Sequence, residues 1–183
     1  MHAFTSCECV DNFTREYYNA VVNTSLINNC SFFGHRQVNK TKEIYFKIRD
    51  IVENLINGGC KTFFFGGLGE FDLMCYEIVT ELKQQYADIK RIFCVTDEKH
   101  LNELKRPKWL KEKIYEEYIY LYLKYDYWYT KIYYRNCEIV KNSDFVVFYA
   151  KNDANSGAYK ILKYAKKIKK PFVNLIEKET ADT

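Results

Sequence analysis

Short apolar runs alternate along this sequence with longer stretches in which apolar residues recur at helical spacing. This alternation restricts the possible folds more than any other feature, because short runs of this kind are typical of buried strands. Five runs qualify, over residues 30–33, 62–65, 89–95, 144–149 and 171–176. Since helical stretches lie between the strands, the sequence predicts an α/β fold with a parallel sheet and helices on both of its faces.

Three helices are predicted between these strands, and the first has clear end signals. Thr41 is the expected N-cap of the first, and Gly58 and Gly59 are expected to end it. A second apolar stripe covers residues 71–86, and another helix is predicted to begin near residue 155 and to end near residue 169.

The stretch between the third and fourth strands, residues 96–142, shows no strand pattern. Pro107 breaks any helix that begins before it. Nine tyrosines fall between Tyr115 and Tyr134. We interpret them as part of one or two helices whose rings cover the core and whose hydroxyls lie at its rim.

The chain has 183 residues, of which 48% are hydrophobic, enough for one domain with a substantial core. We assign that domain to residues 29–177. Residues 1–28 are predicted to be an N-terminal extension with a short helix over residues 12–22, and residues 178–183 a polar tail.

Composition excludes several classes of protein. The net charge is +4, and the six lysines between Lys160 and Lys170 are what a solvated helix face carries, so nucleic acid is not an expected partner. The seven cysteines are scattered, and Cys7 and Cys9 are the closest pair. With only three histidines beside them, they make a poor metal site. No cofactor is expected. No apolar run approaches the roughly 20 residues of a membrane span, and no signal peptide is visible. We therefore expect a cytoplasmic protein with reduced thiols.

Three glycines fall within four residues where the second strand gives way to a helix: Gly66, Gly67 and Gly69, with Leu68 between them. Glycine lets a backbone turn sharply and approach a ligand closely, and a helix N-terminus attracts anions. We predict ligand contact by this loop. The alternative is a strand-to-helix turn without a ligand.

Two other loops are expected to meet the glycine loop. If the sheet has the strand order 3-2-1-4-5, the chain crosses over between the first and fourth strands, and ligands bind at such a crossover, beyond the carboxyl ends of the strands. Residues 34–36, 66–72 and 149–157 would then converge.

Several side chains of these loops suit a phosphate. Arg36, which follows Gly34, would pair with it bidentately. His35 would bind it or stack on a base, or else is a satisfied histidine near the core. Ser156, beside Gly157, would bond a phosphate or cap a helix.

Glu70 and Asp72 would repel an anion, so ribose hydroxyls are the better partners for them. In an enzyme either would activate water, and capping of the helix N-terminus is the alternative. Arg135 and Asn136 are further candidates for ligand binding, although Arg135 would also pair with Asp72 or Asp144.

These motifs occur together in one family. They are Phe33-Gly34-His35-Arg36, the run over residues 66–72, Tyr134-Arg135-Asn136 with Ser143-Asp144, and Ser156-Gly157-Ala158 with Tyr164-Ala165. In order and spacing they resemble the SLOG superfamily, named for the DNA-processing protein Smf and the LOG phosphoribohydrolases. The similarity covers about residues 29–177, and its small stand-alone bacterial and phage members look most similar.

The resemblance implies a Rossmann-like three-layer sandwich with a central, mainly parallel five-stranded sheet that binds nucleotides or molecules derived from them. Some members of the superfamily cleave the N-glycosidic bond of nucleoside monophosphates. Others sense nucleotide signals, including ADP-ribose derivatives in antiviral defence, so a role in phage defence or anti-defence is one expectation.

The chain departs from the hydrolase motif at three positions. Phe65 replaces a proline, Glu70 replaces a threonine, and Leu73 stands where the hydrolases have a catalytic glutamate. We therefore expect a protein that senses or sequesters a nucleotide-derived ligand carrying phosphate and ribose. A nucleotide N-glycosidase is the first alternative, and a homo-oligomeric structural protein with a vestigial pocket is the second. A homo-oligomer is expected in any case.

Overall fold

The computed structural model describes residues 26–104, 113–121 and 127–176. The strands are β1 (Asn29–Gly34), β2 (Thr62–Phe65), β3 (Lys90–Val95), β4 (Glu117–Tyr120), β5 (Phe145–Tyr149) and β6 (Phe172–Asn174). The helices are α1 (Lys42–Asn57), α2 (Glu70–Leu82), α3 (Glu98–Leu104), α4 (Trp128–Asn142) and α5 (Gly157–Lys167). The helix predicted over residues 12–22, the break at Pro107 and the tail over residues 178–183 lie outside the described residues.

All six strands are parallel and follow the order β4-β3-β2-β1-β5-β6. The α/β class and the predicted order of five strands are confirmed. The prediction that residues 96–142 hold no strand is wrong, because β4 pairs with β3 and places Tyr118 opposite Phe93. This edge strand is four residues long and only half-buried, so it has no continuous apolar run to mark it.

Side chains of the central strands alternate between two core layers. Phe32 and Phe65 stack at 5.4 Å in the layer under α1 and α2, whereas Phe33 and Phe148 stack at 5.8 Å in the layer under α4 and α5. The sheet thus lies between two helical layers, the three-layer sandwich that was expected.

The helix ends follow the predicted signals. Thr41 Oγ1 accepts a hydrogen bond from Ile44 N at 3.2 Å, and Gly59 takes a left-handed φ of +104° after the end of α1. The five described cysteines are free and buried. Burial raises the pKa of Cys60 and Cys94 to about 12, so these thiols are protonated and inert at neutral pH.

Candidate functional site

The candidate site lies at the carboxyl edge of the sheet, beside the crossover between β1 and β5. His35 N donates to Tyr149 O at 3.1 Å, which joins the loop after β1 to the end of β5. Glu70 N donates to Arg36 O at 2.9 Å, which joins the same loop to the start of α2. The predicted convergence of the three loops is confirmed.

His35 ties the loop after β1 to the loop after β5. Its Nε2 accepts a hydrogen bond from Lys151 N at 2.7 Å, so in the neutral ring the proton lies on Nδ1. This Nδ1 is 3.2 Å from Ser156 Oγ, which also accepts from Tyr159 N at 3.3 Å. Ser156 is therefore the N-cap of α5, and its hydroxyl has partners within the protein.

The glycine loop is closed by a carboxylate of the protein itself. Asp72 is 5% exposed, and its two carboxylate oxygens accept hydrogen bonds from Gly66 N and Gly67 N, each at 3.0 Å. Burial is the main cause that raises the pKa of Asp72 to about 6, against the opposing effects of these amides and of the charges of Lys113 and Arg135. A ligand anion would have to displace this carboxylate to reach the same two amides, so the roles predicted for them as ligand contacts stay predictions.

Arg135 supports the loop from beneath. It is 1% exposed, and its Nη1 donates to Gly66 O at 3.0 Å while Nε and Nη2 donate to Asn136 Oδ1 at 3.1 and 2.9 Å. Burial lowers the pKa of Arg135 to about 10, and the nearby charge of Asp72 opposes that shift. Asp144, the other aspartate considered for it, accepts two backbone amides at the start of β1. Arg135 and Asn136 therefore have internal partners, and their contact with a ligand stays a prediction.

Close packing within the protein accounts for the glycines of these loops. Gly67 has a φ of +70°, and a Cβ there would lie 2.4 Å from Phe93 Cε2. Gly69 has a φ of +92°, and its Cβ would lie 3.0 Å from Arg36 Cα. A Cβ on Gly34 would meet a ring carbon of Phe71 at 2.3 Å. The glycines thus let the loops contact one another with or without a ligand. Gly157 differs, because a Cβ there would meet open space.

Two charged side chains at the junction still face solvent. Arg36 is exposed and forms no ion pair with a carboxylate of the described residues. Glu70 is half-buried, and its Oε2 accepts a hydrogen bond from Val38 N at 2.8 Å, which leaves the other oxygen available. Within the described ranges, the amides of Leu68 and Gly69 at the start of α2 donate no hydrogen bond. These groups are the ones placed to contact a ligand.

The sequence analysis missed two residues behind the glycine loop. Lys113 places its Nζ 4.3 Å from the ring centroid of Tyr76 and carries a positive charge near Asp72. Tyr115 stacks on Phe93 at 4.8 Å, and its hydroxyl is buried without a hydrogen-bond partner in the described structure. Both immediately precede β4, the strand that no sequence signal predicted.

In comparisons with known proteins, no protein-family model matches the chain, and no curated protein shows significant sequence similarity to it. The similarity to the SLOG superfamily therefore rests on the motifs alone. Within the described ranges, no helix combines the length and the apolar character needed to cross a membrane.

Proposed function

We propose that this protein binds a nucleotide-derived small molecule, with a phosphate and a ribose, at the three-loop junction between β1, β2 and β5. The observation that carries the proposal is the exposure of the Arg36 side chain to solvent. The other charged side chains considered for the ligand, those of Glu70, Asp72 and Arg135, bond to the protein's own groups, whereas Arg36 is exposed beside a helix N-terminus without an ion-pair partner in the described structure.

The phosphate would lie against the start of α2 rather than in the glycine loop. The amides of Gly66 and Gly67 already bond to Asp72. The next amides along the chain are those of Leu68 and Gly69, and the backbone of Arg36 packs against Gly69. A guanidinium and a helix N-terminus together stabilise a phosphate by charge and by hydrogen bonding.

Glu70 supplies an acceptor for the ribose. Its Oε2 is held by Val38 N, so the carboxylate is fixed in place while its second oxygen remains able to accept a hydroxyl hydrogen. An ADP-ribose-type signal combines such hydroxyls with phosphates, in agreement with what the resemblance to SLOG sensors implies.

Binding is favoured over cleavage. Glycosidic hydrolysis needs a carboxylate that reaches the substrate or its attacking water. Asp72 is buried with both oxygens engaged, and Leu73 replaces the acid that the similar hydrolases use. An enzyme acting at this site would have to use Glu70, the remaining carboxylate of the glycine loop, to activate water.

Thermal shift with a panel of nucleoside monophosphates and ADP-ribose, followed by mass spectrometry of the mixture, tests the proposal. A ligand at one hundred times its Kd adds about 2.7 kcal/mol, which corresponds to roughly 5–11 °C in Tm for a domain of this size. Arg36→Ala should abolish this shift. Arg49→Ala should retain it, because Arg49 lies on α1 and pairs with Glu81.

The outcomes separate the hypotheses. An intact ligand with a stabilised protein supports binding. Free base in the mixture identifies an N-glycosidase instead. No shift with any member of the panel contradicts both and favours a structural role.

A further inference from the structure

A second concave surface lies away from the three loops, between the outer faces of α4 and α5. We call it the α4–α5 groove. It has a cavity volume of about 450 Å³ and is lined by Tyr133, Tyr134, Cys137, Glu138, Lys141, Lys160, Lys163, Tyr164 and Lys167. Volumes of roughly 300–1,000 Å³ are usual for sites that bind small organic groups. None of these lining residues belongs to the proposed nucleotide site.

The groove has an excess of positive charge. It has four lysines and one carboxylate among its lining residues. That carboxylate, Glu138, pairs with Lys141. Lys160, Lys163 and Lys167 are exposed and form no ion pair with a described residue. Their spacing puts all three on one face of α5. Lys163 places its Nζ 5.1 Å from the ring centroid of Tyr159. The groove therefore attracts anions, and no described carboxylate neutralises these three cations.

Aromatic rings line the same groove. Tyr134 is 38% exposed, and the rings of Tyr133 and Tyr134 meet at an interplanar angle of 77°, so their faces point in different directions. Tyr164 lies on α5 between the lysines. Lysines alone would suit any anion, including an acidic peptide, but lysines interleaved with flat rings suit a chain of alternating phosphates and bases.

We propose that the α4–α5 groove binds single-stranded nucleic acid, with Lys160, Lys163 and Lys167 on phosphates and with Tyr134 stacked on a base. This revises the sequence-based expectation of a merely solvated lysine face, because the structure places aromatic rings beside these lysines. The lysines span about 10 Å of helix at 1.5 Å per residue, so each can contact a different phosphate of an extended strand. The strand is single because a base can stack on a tyrosine only when its own face is exposed. This binding is independent of the nucleotide site at the three-loop junction.

Fluorescence anisotropy of the 183-residue chain with a labelled dT12 strand tests the proposal. Three neutralised phosphates give a slope of about −2 in the plot of log K against log salt concentration. Lys163→Gln with Lys167→Gln should reduce that slope to about −0.7, since each lost phosphate contact removes about 0.7. Tyr134→Leu should weaken binding roughly fivefold to a hundredfold while leaving the slope unchanged.

The matched control removes the same charge elsewhere. Lys166 lies on α5 but places its Nζ 5.9 Å from the ring centroid of Phe172, outside the groove, and Lys90 is exposed at the start of β3. Lys166→Gln with Lys90→Gln should leave the slope near −2, on the same estimate from phosphate contacts. Circular dichroism of each variant verifies that it is folded.

Four results would overturn the proposal. The first is no change in anisotropy at low salt. The second is equal weakening by the control pair, which would mean that net charge alone acts. The third is unweakened binding by Tyr134→Leu. The fourth is competition by a poly-glutamate peptide that is as strong as competition by unlabelled dT12, which would indicate an acidic protein partner.

Discussion

Gly67→Ala is the substitution that tests most sharply how the glycine loop is built. Gly67 has a φ of +70°, in the left-handed region, where an L-residue with a Cβ is strained by about 1–2 kcal/mol. The new Cβ would also lie 2.4 Å from Phe93 Cε2. Ordinary carbon contacts are at about 3.5–4.0 Å, so the ring has to move by more than about 1 Å.

Overpacking and backbone strain both contribute to the expected loss of stability in Gly67→Ala. Overpacking of a core typically costs about 1–3 kcal/mol, and Phe93 has little room to adjust because it stacks on Tyr115 at 4.8 Å. Together with the backbone strain, the free energy of unfolding should fall by about 2–5 kcal/mol, or roughly 4–20 °C in Tm. Urea unfolding followed by circular dichroism measures the change.

Gly59→Ala is the matched control, because Gly59 also has a positive φ, +104°, but a Cβ there meets nothing within 4 Å. Gly59→Ala should lose only the stability that corresponds to the backbone strain. Adding Phe93→Leu to Gly67→Ala should restore part of the stability that Gly67→Ala loses. If both alanine variants lose equal stability, and Phe93→Leu gives no relief, the close contact between the loop and β3 is refuted.

Three further predictions concern groups buried behind the loop. Because the pKa of Asp72 is raised from 3.8 to about 6, its contribution to stability is full below about pH 4 and is lost as pH rises through 6, by roughly 3 kcal/mol. Urea unfolding between pH 3.5 and pH 7, at about half-unit steps, should show this loss relative to Asp72→Asn, and parallel curves for the two proteins would contradict it. Arg135→Met should cost roughly 3–5 kcal/mol in the same assay, because it leaves Gly66 O and Asn136 Oδ1 without their donors and removes a positive charge near buried Asp72, whereas exposed Arg36→Ala should stay within about 0.5 kcal/mol. Equal effects of the two arginine substitutions would argue against a stabilising role of the buried Arg135 hydrogen bonds. Tyr115→Phe should raise Tm because it removes a buried hydroxyl without a partner in the described structure, whereas Tyr76→Phe should lower Tm, since its hydroxyl both donates to and accepts from the backbone of residue 114, each at 2.9 Å. A loss of Tm in Tyr115→Phe would show that this hydroxyl has a partner.

Most of the fold follows from local signals in the sequence. Buried strands such as residues 62–65 are continuous apolar runs, and caps such as Thr41 need only their own helix to act. The strand β4 escaped prediction because it is stabilised by pairing with β3 at the edge of the sheet, a non-local interaction that its half-exposed tyrosines do not signal.

The site was predictable in its location but not in its internal bonding. The predicted strand order placed the three loops together, and the glycines indicated where the backbone packs closely. Whether Asp72 would face a ligand or fold back onto Gly66 and Gly67 depends on the position of Arg135, 63 residues further along the chain, and on the half-buried Lys113. Such long-range balances of burial and charge leave no local pattern.

An NMR titration of the ¹⁵N-labelled protein with ADP-ribose tests the central claim most directly. The proposal predicts that the largest shifts occur at the backbone amides of Leu68 and Gly69 and at the guanidinium of Arg36. Gly66 and Gly67 should shift less, since Asp72 already holds their amides. A spectrum in which Leu68, Gly69 and Arg36 do not respond while other residues do would contradict this placement of the ligand.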